Sequence, residues 1–381
     1  MLRELRPATF EEAASGLAAA AVEGQKIRIR GSGTKLEWGA AGVEPDVELH
    51  TTGLDQVVEH NVGDLTAVLQ AGVSLAQAQA TFAAAGQMLA LDPPLGRGSA
   101  ATATIGGVVA TADSGPLRHR YGAARDLVVG ITVALSDGTI ARSGGKVIKN
   151  VAGYDIAKLF SGAFGTLGAI LAVCVRLHPM APVNTTALGA SGDPEVLWTA
   201  ARKLTMAPLE LDTLDVAWQS GWGQILARLA GAEATRRIVR VTALMREAGL
   251  EDIDATTDDD DLWARQRAGQ RSEDAVLVRV AARPSALAQV LRAVRACDGR
   301  LVGRAALGLN WIEVEPEALG KLRDGLGADA TVIVLDMPAA LRERVDPWDA
   351  REGPALELMR RVKMRFDPAG ACNPGVFVGG I

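Results

Sequence analysis

Two glycine-bearing passages constrain this chain more than anything else in it. The first, KIRIRGSGT (Lys26–Thr34), runs an alternating apolar and basic stretch, the period of a strand with one wet face, directly into a Gly-x-Gly turn. The second, TIGGVVATADSGPLRHRYGAARD (Thr104–Asp126), sets a glycine pair among small residues, then presents Arg118, His119, Arg120 and Tyr121. Taken alone, each passage is compatible with a tight turn, the second followed by a solvated basic patch. Each is also compatible with backbone brought close to an anion, because glycine carries no side chain to hold a ligand away. A dinucleotide-binding Rossmann turn is excluded for the first passage. GSGTKLEWG lacks the third glycine in register, and Leu36–Ala40 does not open a helix. Successive N–H groups of such a turn can still cradle phosphate, with Thr34 adding a hydroxyl donor and Lys35 a charge.

Bulk properties narrow the class. A chain of 381 residues is long enough for two domains with real cores. With 48% apolar residues it is not disordered, and its net charge of -5 argues against nucleic acid as a partner. Cys174, Cys297 and Cys372 lie far apart and form no metal, iron–sulfur or disulfide framework, which suits a reducing compartment. Glu11 and Glu12 interrupt the N-terminal stretch where a signal peptide needs an apolar core. No segment approaches the roughly 18 apolar residues of a membrane span. These features predict a soluble, cytoplasmic protein with no transmembrane segment.

Along the chain, TFEEAASGLAAAAVEG reads as a helix capped by Thr9 with Glu12 three residues on. LTAVLQAG reads as a strand. SLAQAQATFAAAG reads as a helix capped by Ser74, with Leu75, Ala78, Phe82 and Ala85 on one face and Gly86 ending it. DLVVGITVALSDGTI predicts two strands around Asp137–Gly138, AILAVCVRL (Ala169–Leu177) a further strand, and HPMAP a linker. From about Thr186 strands of mixed polarity alternate with helices, the pattern of an antiparallel sheet backed by helices on one face. Asp258–Asp261 reads as a solvated loop. The tail FDPAGACNPGVF (Phe366–Phe377) returns to Pro and Gly turns after a short helix.

RGSGT, DPPLGRGSAATATIGG, RYGAARD and KNVAGYDIAKLFSGAFGTLGAI follow one another in that order over about 140 residues. This ordered set resembles the flavin-binding domain of the vanillyl-alcohol oxidase/PCMH superfamily, and within it the flavin subunits of bacterial glycolate oxidase, the smaller one above all. The resemblance covers residues 1 to about 180 and returns in the last 20. It implies an α+β fold: a two-lobed PCMH-type FAD-binding domain at 1–180, an α+β cap domain with a mainly antiparallel sheet at 186–345, and a C-terminal segment, 346–381, packing back on the FAD domain. FAD would lie extended between the two lobes. Gly31, Ser32, Gly33, Thr34 and Lys35 would form one pyrophosphate loop, and Thr104, Ile105, Gly106 and Gly107 the other, at a helix start. Ala110, Thr111, Ser114 and Gly115 would pack along the ribityl chain and flavin edge. The Tyr121–Gly122 turn and Asp126 would fix the loop beside the isoalloxazine ring, and Gly165, Gly168 and Ile170 would receive the adenine end. Asp126 reads equally as a cap. Arg118, His119 and Arg120 read either as a solvated patch or as cations favouring an anionic reduced flavin or a carboxylate ligand. Packing roles are expected for Tyr121 and Tyr154, and structural or exposed ones for His50, His60 and His178.

The chain departs from the family twice. Its first loop has no histidine or cysteine for covalent attachment, so FAD is expected to be noncovalent. It also lacks the histidine-rich HxGDGNxH-like motif of relatives that oxidise 2-hydroxy acids: its last histidine is His178. No metal site and no catalytic residue can therefore be assigned, and DLWARQR and LNWIEVE read as packing. What the resemblance implies is an FAD-binding subunit of a glycolate-oxidase-type complex acting on a small 2-hydroxy acid. Its partners would be a second FAD subunit bearing the histidine motif and an iron–sulfur subunit, which could also hold it at the inner face of the cell membrane. The alternatives are a stand-alone FAD oxidoreductase on another hydroxylated substrate and a non-catalytic flavin-fold scaffold.

Overall fold

The computed structural model describes residues 2–96, 102–146, 153–272 and 274–381. Parts of the DPPLGRGSAATATIGG and KNVAGYD passages, residues 97–101 and 147–152, lie outside the described residues. The chain divides into two compact units: Met1–Ser114, Tyr121–Met180 and Ala350–Ile381 form the first, Gly115–Arg120 and Ala181–Asp349 the second.

The first unit begins with β1 (Arg3–Leu5), α1 (Phe10–Val22), β2 (Ile27–Arg30) and β3 (Val47–His50). The three strands pair in parallel in the order β1-β3-β2. The Thr9 hydroxyl caps α1 by accepting from Glu12 N at 3.1 Å, and Ala13, Ala14, Leu17 and Ala20 bury one face of the helix. Next come β4 (Val57–Asn61), β5 (Thr66–Gln70), α2 (Leu75–Ala83), β6 (Gln87–Met88), α3 (Ile105–Thr111), α4 (Arg118–Tyr121) and α5 (Ala124–Leu127). They are followed by β7 (Val128–Ala134), β8 (Ile140–Gly144), α6 (Ile156–Phe160), β9 (Ala169–Arg176) and β10 (His178–Pro179). A five-stranded antiparallel sheet runs β4-β5-β9-β7-β8. Its centre, β9, is buried along nearly its whole length, as a strand covered on both faces must be. Ser74 caps α2 as its sequence predicts, but Ala85 lies exposed beyond the end of the helix. The expected HPMAP linker contains β10, which pairs antiparallel with β6.

The second unit contains β11 (Asn184–Ser191), α7 (Pro194–Met206), β12 (Thr213–Gln219), β13 (Trp222–Ala230), α8 (Ala234–Glu247), β14 (Glu251–Thr256) and α9 (Asp260–Ala268). After these come β15 (Val276–Ala281), α10 (Leu287–Ala296), β16 (Arg300–Arg304), β17 (Leu309–Val314), α11 (Leu319–Leu326) and β18 (Thr331–Asp336). One eight-stranded sheet, β14-β11-β13-β12-β16-β17-β15-β18, is antiparallel at every pairing. Residues of α7, α8, α10 and α11 share its core. The Asp258–Asp261 run is not simply solvated. Asp259 is buried and accepts from the Thr186 hydroxyl at 2.6 Å and from Trp263 Nε1 at 3.3 Å, while Arg228 pairs with it at 3.1 Å. A buried carboxylate persists when its oxygens are hydrogen-bonded and a cation is close. Arg304, wholly buried, is held by Asp215 at 2.6 Å, Gln270 at 2.6 Å and the Gly115 carbonyl at 3.1 Å, with its guanidinium over Trp311.

The last helix, α12 (Pro354–Phe366), and the tail return to the first unit. There Lys363 Nζ donates to the carbonyls of Thr166 at 2.6 Å and Cys372 at 2.8 Å, and pairs with Asp367 at 2.6 Å. Among the described residues no helix is long and apolar enough to cross a membrane.

Candidate functional site

The first loop leaves β2 at Arg30, and its glycines are required by two different constraints. A Cβ on Gly31 would lie 2.1 Å from Thr104 Oγ1, so bare backbone lets the first loop rest on the start of the second. Gly33 has φ +82°, and a Cβ there would also meet the Arg30 guanidinium at 2.3 Å. The Ser32 hydroxyl donates to the Thr102 carbonyl and adds a second tie between the loops. In the second loop Thr104 caps α3, its Oγ1 accepting from Gly107 N at 3.3 Å. Gly106 is pressed on the end of β5: its N–H donates to the Ala71 carbonyl at 2.8 Å, and a Cβ would meet Ala71 Cβ at 2.8 Å. At Gly107 a Cβ would meet only Thr104 Oγ1, at 3.2 Å.

These loops line one cleft of about 1090 Å³ counted to its open mouth. The cleft brings together Gly31, Ser32, Gly33, Thr34, Lys35, Thr104, Gly106, Gly107, Ala110, Thr111, Gly165, Gly168 and Ile170. Four other candidates do not line it. Ile105 is buried in the core, and Ser114 is buried with its N–H on Asp113 Oδ1 at 3.0 Å. Gly115 falls in the second unit, and Tyr121 packs against His178 with ring centroids 4.6 Å apart and the planes tilted by 56°. Asp126 caps α5, accepting from Ala123 N at 2.9 Å. Of the basic run, Arg120 pairs with Asp212 at 3.2 Å within the second unit, and burial pushes the His119 pKa down. Tyr154, expected to pack, is 92% exposed.

The tail contributes what the loops alone lack. Asn373 N donates to the Ile27 carbonyl at 2.8 Å, its Oδ1 accepts from Ile29 N at 2.7 Å, and its Nδ2 donates to the Phe164 carbonyl at 2.6 Å. One side chain thus joins β2 to the turn before β9, and Gly165 (φ +71°) has room only because it carries no Cβ: one would lie 2.8 Å from Asn373 Nδ2. Trp38, Phe164, Asn373, Pro374 and Val376 all line the cleft, and Trp38 and Phe164 carry no local signal of a site. The Asn-Pro-Gly turn of the tail was the one visible hint for the C-terminal three.

The cations of the cleft differ in how fully they are engaged. Lys35 is buried and pairs with Asp113 at 3.4 Å, so its charge is balanced within the protein. Arg28 and Arg30 share one buried carboxylate, Glu48: Arg28 Nε donates at 2.6 Å, Arg30 Nη1 at 3.4 Å. Burial pushes the Glu48 pKa up, but the bond from Arg28 and the charges of Arg28, Arg30 and His50 outweigh it and hold the group below its usual value. Two guanidiniums on one carboxylate leave that edge of the cleft positive. Glu4, Glu48 and His50 bring potential ligand atoms within 4.8 Å of one another, but these arginines already occupy Glu48. A cleft with glycines in its wall and a positive edge fits a dinucleotide diphosphate flanked by apolar groups, as in FAD.

Fold and cleft together are those of a two-unit α+β protein with a cleft suited to a dinucleotide cofactor. The model of the FAD binding domain family matches residues 2–144, and that of the FAD linked oxidases C-terminal domain matches residues 348–377. An uncharacterised FAD-linked oxidoreductase of Mycobacterium tuberculosis is 29% identical over 424 aligned residues, spanning 98% of this chain and 90% of that protein. Glycolate oxidase subunit GlcE of Escherichia coli is 35% identical over 153 residues, 40% of this chain and 42% of that one. Subunit GlcD of Bacillus subtilis is 38% identical over 160 residues, 42% of this chain and 33% of that one. In fold alone, a solved alkyldihydroxyacetonephosphate synthase superposes with TM-score 0.72 at 15% identity, covering 97% of this chain and 75% of that one. The chain is a PCMH-type FAD-binding protein and an FAD-linked oxidoreductase, similar over part of its length to glycolate oxidase subunits and to a D-2-hydroxyglutarate dehydrogenase.

Proposed function

We propose that this chain is the FAD-binding subunit of a glycolate-oxidase-type complex and works with partner subunits in oxidising a small 2-hydroxy acid. When bound, FAD supplies the two-electron redox chemistry. The chain's own residues bind and orient it. The first glycine loop would bring backbone N–H groups against the diphosphate and the second would bring bare backbone at Gly106 and Gly107, Arg28 and Arg30 would offset its charge, and Asn373 keeps β2 and the Phe164–Gly165 turn in register. Oxidising the acid also needs a base for the hydroxyl proton and a cation for the carboxylate. The observation that carries the reading is that residues 179–381 contain no histidine, while the three cysteines are too scattered to hold a cluster. Base and onward electron carrier are then supplied by other chains.

The test is steady-state dye reduction by the pure, FAD-loaded chain with glycolate or D-lactate. Negligible turnover is expected alone. Activity is expected on coexpression with a histidine-bearing flavin subunit and a cysteine-rich subunit. Robust turnover without partners overturns the subunit reading.

One observation favours a stand-alone enzyme as the second reading. His119 Nδ1 is buried with no hydrogen-bond partner among the described residues, and burial pushes the pKa of the ring down. Turnover by the isolated chain that His119→Gln abolishes, with FAD content intact, selects that reading.

A further inference from the structure

Helix α12 is poorly covered for a helix of thirteen residues: only Leu356 is buried. Leu358 is 56% exposed, Met359 43% and Met364 70%. Leu358, Arg361 and Arg365 are spaced i, i+3 and i+7 and share one face. On the adjoining face Met359 and Val362 border a recess of about 730 Å³, open to solvent, whose other walls include Leu159, Leu167, Phe377 and Ile381. The walls of the recess are mainly apolar. Its two hydroxyls already donate to backbone carbonyls, Ser161 to Ala157 at 2.8 Å and Thr166 to Ala163 at 2.7 Å. A peptide segment would bring unsatisfied N–H and C=O groups into such a recess, whereas a hydrocarbon chain brings none.

The charges point the same way. Arg360 on this helix is paired with Glu352 and Lys363 with Asp367, whereas Arg361 and Arg365 engage no carboxylate among the described residues. Glu357, the helix's one acidic side chain, stands four residues before Arg361 and so beside it on the helix surface, but it pairs with neither arginine. A chain of net charge -5 therefore keeps two cations that no carboxylate pairs, on a helix with four basic residues and one acidic one, beside exposed leucine and methionine at the rim of an apolar recess. Basic residues flanking an exposed apolar stripe are the arrangement of a helix lying in a lipid interface.

We propose that this face of α12 docks the protein on an anionic lipid surface. Arg361 and Arg365 meet the headgroup phosphates, and Leu358, Met359 and the recess meet the acyl boundary. The proposal is independent of the substrate and partners proposed above. It is tested by co-sedimentation of the full FAD-loaded chain with vesicles of phosphatidylcholine alone or mixed with phosphatidylglycerol. Binding is expected to the mixed vesicles only and to weaken with salt. At about 1 kcal/mol per arginine, Arg361→Gln/Arg365→Gln should weaken it about thirty-fold, with FAD absorbance unchanged. Leu358→Gln should weaken it as well and serves as a second variant that leaves the charge intact. No binding, equal binding to neutral vesicles, or wild-type binding by the double variant overturns the proposal. So does a dimer in solution that Leu358→Gln abolishes while vesicles are ignored, which would assign the face to a second copy of the chain.

Discussion

Gly31→Ala isolates the contact between the two cofactor loops. The new Cβ would lie 2.1 Å from Thr104 Oγ1, 3.0 Å from Cγ2 and 3.1 Å from Cβ, so one loop must move. Gly31 has no left-handed φ, so the cost is steric rather than conformational. Overpacking of this kind costs about 1–3 kcal/mol. Borne by the loops that would hold the diphosphate, it lowers FAD affinity roughly five- to 150-fold. Thr104→Ala alone removes the cap on Gly107 N and costs about 1 kcal/mol. It also removes Oγ1 and Cγ2 and leaves only the 3.1 Å contact, which a small shift relieves. Introduced together with Thr104→Ala, Gly31→Ala should therefore cost less than half of what it does in the wild type, a coupling of about 1 kcal/mol. Gly33→Ala, strained at φ +82° and against Arg30, should gain nothing from Thr104→Ala. The assay is FAD titration of apo protein by flavin fluorescence, with the apo melting temperature as fold control. Additive costs at positions 31 and 104, or wild-type affinity in Gly31→Ala, would refute the loop contact.

The remaining predictions concern attachment, pH and thiols. Acid precipitation should leave a colourless pellet and FAD in the supernatant; yellow colour kept by the pellet contradicts noncovalent binding. For Asp367, burial pushes the pKa up, but hydrogen bonds from Lys363 and Cys372 N outweigh it and hold the carboxyl below 3.8. A depressed folded pKa stabilises above the unfolded value and is lost as pH falls through the folded one. The melting-temperature gap between wild-type apo protein and Asp367→Asn should then be present at neutral pH and close below 3.8; a pH-independent gap refutes it. Burial pushes the Cys372 thiol up to about 12 and the Cys174 and Cys297 thiols upward too. Iodoacetamide should accordingly spare Cys372 until unfolding, and Cys174→Ser or Cys297→Ser should leave flavin content near wild type; mass spectrometry and absorbance decide both.

What the sequence by itself determined is local. Thr9 and Ser74 cap their helices because a hydroxyl reaches an N–H three residues on, and Asp137–Gly138 turns a hairpin because Gly138 takes φ +86°. The cofactor was legible for a related reason: both glycine loops are short contiguous motifs whose order is visible in one dimension. Tertiary structure decided what joins them. Gly31 is bare on account of Thr104, seventy-three positions away, and Asn373 bonds Ile29 across 344 positions. Lys35 looks like a phosphate cation until Asp113 is found beside it, and Asp259 looks solvated until Thr186, Arg228 and Trp263 close over it. Backbone preferences act over a few residues and leave a mark in the string, whereas burial and charge pairing depend on which distant segments the fold brings together.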